Sequence, residues 1–243
     1  MNSGNEIKIL AVDSSSLTGS VALCCGTRLV AESLLNIRST HSEKLLKQID
    51  LLLSETGWKL EDLDLLATVT GPGSFTGLRI GIATVKGLAQ ALNKPVVSIS
   101  SLQTSALNIP FSRVPVCAFL DARKNEVYSQ LFRWQEGIPV PLGSAQVLPP
   151  DVLLGQLKGE IVFVGHGVPL YQNLIRTVLA ERALFPVPTA HQIRASQAAW
   201  LAFNHWSRGE LQNASDMLPL YIRPSDAELN CTKNKVREGW VNC

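Results

Sequence analysis

The chain has 243 residues, 46% of them apolar and 17% charged, with a formal charge of +2. That composition supplies a globular core and excludes disorder over most of the length. The small, scattered charge excludes strong electrostatic binding of nucleic acid by this chain alone, because such binding scales with the number of phosphates neutralised. Cys24, Cys25, Cys117, Cys231 and Cys243 are odd in number and lack CxxC or Cys/His ligand spacing. They read as reduced thiols of a cytoplasmic protein, not as a disulfide framework or zinc site. Residues 1–7 lack the apolar core of a secretory signal, and no apolar run reaches the ~18 residues of a membrane span.

In chain order, Lys8 to Val12 is a short apolar strand ending at Asp13-Ser14-Ser15-Ser16. Ser20 to Cys25 and Arg28 to Leu35, joined by the Gly26-Thr27 turn, continue it as a meander. Leu45, Leu46, Ile49, Leu52 and Leu53 then form the stripe of an amphipathic helix. Thr40 and Glu43 make a capping box at its start, and Gly57 stops it. Leu65 to Val69 is a buried strand, and Leu78 to Leu92 is helical. Val96 to Ile99 is again a strand. Three strands, helix, strand, helix, strand, helix is the order of a ribonuclease H-like lobe.

Between the fourth strand and its helix lies Gly71-Pro72-Gly73-Ser74-Phe75-Thr76-Gly77. Such a turn can aim backbone N–H groups at a phosphate from a helix N-terminus. It can equally keep Gly77, Gly81 and Gly87 small for close helix packing, since glycine in a helix costs about 1 kcal/mol against alanine. No Gly-Lys-Ser/Thr follows, which argues against a Walker-type NTPase. The phosphate reading assigns Asp13, Ser14, Gly71, Gly73, Ser74, Thr76 and Gly77. The packing reading makes Leu78, Gly81, Ile82, Val85, Leu88 and Ala89, with Leu45 and Ile49 of the preceding helix, a surface for another chain.

The second half repeats the pattern more loosely. Val116 to Leu120 leads into Asp121-Ala122-Arg123, followed by strands at Glu126 to Trp134 and around Val140 to Leu148. A short helix at Asp151 to Leu157, a strand at Ile161 to Val164, and Gly165-His166-Gly167 come next. Helical segments at Tyr171 to Leu184 and Ala195 to Leu211 flank a short strand at Val187. Trp200, Phe203 and Trp206 recur at helical spacing, as packing residues do. The linker falls near Asn108 to Arg113, giving lobes at 1–108 and 109–224 and a polar tail at 225–243. His41, Glu43, Asp121, Arg123 and Arg223 are the polar candidates for a cleft between lobes. Capped termini and loop-fixing contacts explain several of them equally well.

Ile9-Leu10-Ala11-Val12-Asp13-Ser14-Ser15, Thr40-His41-Ser42-Glu43, Gly71 to Gly81, Asp121-Ala122-Arg123 through Tyr128, and Leu220-Tyr221-Ile222-Arg223-Pro224-Ser225 together resemble the TsaB (YeaZ) family. The resemblance implies an α/β, actin/sugar-kinase-like fold of two ribonuclease H-like lobes. It implies a part in making threonylcarbamoyl-adenosine beside the anticodon of tRNA, as partner of the related transferase TsaD and with the small ATPase TsaE. It also implies a homodimer when alone and contact with tRNA only through the complex, without membrane attachment. Laid on the His-x-x-x-His metal motif of TsaD, this chain has Ser101 and Ser105, and serine is a poor transition-metal ligand. No metal is therefore expected, ATP or ADP would bind weakly if at all, and the chain would do no chemistry itself. The competing expectations are a metal-dependent glycoprotease and a small-molecule kinase on the same fold.

Overall fold

Strand β1 (Lys8–Asp13) is buried on both faces, with Ile9 to Val12 wholly inaccessible. Such a strand needs cover on both sides, and alternation separates the two sets. Ile9 and Ala11 face a central layer, whereas Leu10 and Val12 face an outer pair of helices. The structure is a computed structural model and describes residues 7–36 and 41–223, with 41–43 described by backbone alone. β2 (Thr18–Cys25) and β3 (Arg28–Asn36) extend β1 as an antiparallel meander. β4 (Leu65–Gly71) and β5 (Val96–Ser100) add to its other side in parallel. The first sheet therefore runs β3-β2-β1-β4-β5. Its outer face is covered by α1 (His41–Thr56) and α2 (Phe75–Leu92).

The second sheet follows the same plan. β6 (Val116–Asp121), β7 (Val127–Gln135) and β8 (Ile138–Pro141) are antiparallel neighbours. β10 (Ile161–Val164) and β11 (Ala183–Leu184) join β6 in parallel, in the order β11-β10-β6-β7-β8. The single third strand expected around Val140 to Leu148 is two, because residues 142–145 leave the ladder before β9 (Gln146–Leu148) rejoins β7. α4 (Pro150–Gln156) and α5 (Val168–Leu179) cover the outer face. The last strand lies at Ala183–Leu184, ahead of Val187, and the late helix ends at Ser207 because Gly209 takes a left-handed φ of +71°.

Two helices fill the space between the sheets. α3 (Ser101–Ala106) packs on β6 to β8 as well as on β4 and β5, and α6 (Ala195–Ser207), from the second half of the chain, packs on β1 and β2. Ala195, Ala198, Ala199 and Ala202 are fully buried, and their small side chains let α6 lie close to the first sheet. The layers run helices, sheet, helices, sheet, helices. This is the actin/sugar-kinase-like arrangement of two ribonuclease H-like sheets.

After α6 the chain returns along the first sheet. Gln212 pairs with Val96 on the edge of β5, and Met217 is wholly buried in the outer core. Burying a methionine contributes about 1.5–3 kcal/mol, enough to hold this strap down. The Leu220 N–H then donates to Thr70 O at 2.8 Å, Tyr221 stacks on Phe75 with centroids 5.3 Å apart, and Arg223 pairs with Glu126 at 2.5 Å. The Arg223 contact joins the strap to the hairpin that leads into β7.

Candidate functional site

The glycine turn rests directly on the loop that follows β1. A Cβ at Gly73 would lie 2.4 Å from Ser15 O, and one at Gly77 would lie 2.0 Å from Ser14 O. One at Gly81 would meet Ser14 Oγ at 2.4 Å, and one at Gly71, where φ is +131°, would meet Leu220 O at 2.7 Å. Gly71, Gly73 and Gly77 are small because backbone presses on backbone, and Gly81 because the Ser14 hydroxyl sits against it. Ser74 caps α2 by accepting from the Gly77 N–H at 3.3 Å, donates its own N–H to Ser15 O at 2.7 Å, and starts the helix at Phe75 instead of Leu78. Ser14 Oγ donates to Gly77 O at 2.8 Å. Gly73 and Gly77 thus rest on the carbonyls of residues 15 and 14, and Ser74, which is exposed, has already given its N–H to Ser15 O. Thr76 is exposed on the first turn.

Asp13, at the end of β1, is fully buried. Its Oδ1 accepts the Ser15 N–H at 2.9 Å in an Asx-turn, while Oδ2 has no partner among the described residues. Burial pushes the carboxyl up from 3.8 to about 6, against the pull of the Ser15 bonds. The folded state thus holds a proton between about pH 4 and 6 that the unfolded chain has released, so stability falls as pH rises through that window. A shift near 2 units corresponds to about 3 kcal/mol. Asp13→Asn keeps the Asx-turn acceptor and removes the charge. In urea unfolding it is expected to gain up to ~3 kcal/mol at pH 7.5 and almost nothing at pH 4. A variant less stable than the parent at pH 7.5 would show that the ionised carboxylate has a stabilising partner.

Ser101 and Ser105 lie on α3, buried and engaged. Ser101 Oγ donates to Pro72 O at 2.5 Å and Ser105 Oγ to Ser101 O at 2.9 Å. An imidazole does not fit a space that a hydroxyl fills. Among the described residues no three His, Cys, Asp or Glu side chains converge as a metal site. The positions laid on the TsaD metal motif are therefore unsuited to the ion.

At the end of β6, the Asp121 N–H donates to His166 Nδ1 at 3.4 Å, and Asp121 Oδ1 accepts the Arg123 N–H at 3.0 Å. Burial pushes His166 down to about 4 despite the nearby Asp121 carboxylate, so its imidazole is neutral near pH 7. Tyr171 of α5 is raised, first by burial and then by Asp121. Gly165 and Gly167 make room for this meeting, since a Cβ on either would stand within 3 Å of Phe119 O. Asp121, His166 and Tyr171 thus form one cluster, and of these the sequence reading placed Asp121 alone among its cleft candidates. Arg123 is exposed at a hairpin where residues 123–125 all have φ between +53° and +59°, an uncommon run without glycine. Arg223 meets Glu126 within the chain instead of a partner's group. The side chains of His41 and Glu43, and Thr40 entire, lie outside the described residues.

The helical surface read from sequence also needs correction. Leu78, Gly81, Ile82, Val85 and Ala89 of α2, and Leu45 and Ile49 of α1, are buried against Leu10, Val12, Val21 and Leu23 of the first sheet. Leu88 is half-buried. That stripe is the chain's own core, and acidic residues at Ile82 or Val85 would unfold the lobe before they tested an interface. The opposite side of the helices faces out. Leu46 and Leu51 are more than half exposed on α1, and Ala83, Gly87 and Ala91 are exposed on α2 beside half-buried Ile80. Among the described residues nothing lies within 4 Å of a would-be Cβ on Gly87, so their packing does not require it.

Sequence reasoning missed a groove of about 640 Å³ lined by Asn108, Phe111, Trp134, Arg194 and Trp200. Phe111 is 81% exposed there and packs on Trp134 with centroids 5.8 Å apart. An aromatic residue beside Pro110 in the linker was the signal that pointed to it. Arg194 is held across the chain by a short hydrogen-bonded ion pair with Glu32. No helix among the described residues is long and apolar enough to cross a membrane.

Matched sheets, helices shared between them, and an Asp ending the first strand of each place the molecule in the actin/sugar-kinase-like class. Within that class, residues 31–240 match the family profile described as TsaD, tRNA N6-adenosine threonylcarbamoyltransferase. The tRNA threonylcarbamoyladenosine biosynthesis protein TsaB of Haemophilus influenzae is 31% identical over 236 residues, 90% of this chain and 94% of that protein. Its Bacillus subtilis namesake is 29% identical over 223 residues, 90% of this chain and 96% of that one. The structure of Pseudomonas aeruginosa YeaZ superposes with a TM-score of 0.75 at 31% identity, over 89% of this chain and 100% of that one. The chain belongs to the TsaB (YeaZ) family.

Proposed function

We propose that this chain is a non-catalytic partner of a TsaD-type threonylcarbamoyltransferase in forming threonylcarbamoyl-adenosine in tRNA. Its part is to hold that enzyme in an active arrangement through the outer face of α1 and α2. The observation that carries the reading is Gly87, an exposed mid-helix glycine with open space around it, in an uncharged row with Ala83 and Ala91. A glycine there lowers helix stability by about 1 kcal/mol and does nothing for this chain's packing. Small residues in such a row let a second helix approach closely, and exposed Leu46 and Leu51 on two sides of α1 add apolar surface to the lobe. Buried Ser101 and Ser105 in place of imidazoles support the absence of chemistry.

Two relatives named for this biosynthesis cover nine-tenths of the chain, which supports the pathway. The test is reconstitution of tRNA modification from the transferase, its activated threonylcarbamoyl donor and this chain. Product is expected when both proteins are present and not from this chain by itself. Modification by the pure chain, or an undiminished rate when it is omitted, would overturn the proposal.

A further inference from the structure

At the N-terminal end of the same helix, Phe75, Arg79 and Tyr221 form a pile where the strap crosses α2. The Arg79 guanidinium lies 3.8 Å over the Phe75 ring, and its Nε–H donates to the Tyr221 hydroxyl at 3.1 Å. Phe75 and Tyr221 are themselves stacked, and each is 39% exposed. A surface arginine ordinarily loses rotamer freedom when a partner fixes it. Here the ring and the hydroxyl have already fixed it. Among the described residues only one of its five N–H donors is engaged, and no carboxylate pairs with it. The terminal nitrogens therefore present the planar fork that matches a carboxylate with two parallel hydrogen bonds.

We infer that Arg79 is the specificity-determining contact of the docking face, and that it receives a carboxylate carried on a helix of the protein partner. The inference rests on the partner reading above and adds the chemistry of recognition to it. Phosphate would fit the same fork, but the surroundings favour a protein. Ile80, Ala83 and Gly87 continue the helix face without charge, and Leu218 and Leu220 are 69% and 47% exposed on the strap beside it. A nucleic-acid surface needs several cations together, whereas an arginine and two aromatics within an apolar rim match the composition of a protein hot spot.

The test is the dissociation constant of the full chain for the purified transferase, measured at low and high salt. Arg79→Met is expected to weaken binding roughly 10- to 100-fold and to flatten its salt dependence, and Arg79→Glu to weaken it by more. Arg79→Lys keeps the charge without the fork and is expected to lose about tenfold. Tyr221→Phe is expected to lose a few-fold. A lysine replacing the right acidic residue on the partner should restore affinity to Arg79→Glu. If Arg79→Met and Arg79→Glu bind like the parent while arginines at Ala83 and Gly87 block binding, the Arg79 assignment falls and the docking face stands. If neither set weakens binding, both fall. Loss of tRNA affinity with unchanged protein affinity would overturn the assignment in favour of a phosphate.

Discussion

Arginine at both Ala83 and Gly87 is expected to cut tRNA modification in the reconstituted system by at least ~100-fold and to abolish co-purification with the transferase. The two positions are four residues apart on α2 and share its outer face. Both are exposed, and neither belongs to the core that α2 buries. The chain itself should fold at least as well as before, because an exposed change such as Ala83→Arg shifts stability by roughly 0.5 kcal/mol or less and replacing the mid-helix Gly87 with a good helix former adds about 1 kcal/mol. In a complex the two cations would be desolvated against a packed helix without partners, and each such charge costs several kcal/mol. Thermal unfolding of the isolated variant supplies the control. A variant that melts like the parent and still supports full modification would remove α2 from the interface.

Gly77→Ala is expected to lower the stability of the isolated chain by about 3 kcal/mol, while Gly87→Ala raises it by about 1 kcal/mol. The same single methyl acts with opposite sign on one helix. At position 77 it would lie 2.0 Å from Ser14 O, a backbone atom that cannot move without disturbing the end of β1. At position 87 it enters open space and only improves helix propensity. For a chain of this size the changes correspond to a fall of roughly 6–12 °C and a rise of roughly 2–4 °C in melting temperature. If Gly87→Ala proved destabilising, the outer face would be packed against something within the chain.

Most of the architecture could be read in the residues because its signals are local. Alternation in Ile9 to Val12 shows a strand covered on both sides, and the leucines of α1 show a stripe. What local periodicity could not show was direction. The apolar stripe of α2 looked like surplus surface, yet the first lobe's core uses most of it, and the side with less apolar character is the one left outside. The glycines divide for the same reason. Gly77 and Gly87 look alike in sequence, and only the approach of Ser14, 63 residues away from Gly77, distinguishes them. Long-range pairings were equally hidden. Nothing near Asp121 announced His166 and Tyr171, and nothing near Arg79 announced Tyr221, because each pairing depends on the return path of a distant segment. Ser101 and Ser105 are the contrary case: their chemistry was legible from residue type, and the structure added that the hydroxyls are buried and bonded.

Side-chain footprinting by hydroxyl radicals, on the full chain with and without the transferase, bears most directly on where this protein acts. Protection is predicted at Leu46, Leu51, Phe75 and Ile80, with Trp134 and Phe111 in the groove unchanged. Unaltered reactivity on α1 and α2 together with protection of the groove, or of the hairpin at Arg123, would contradict the account.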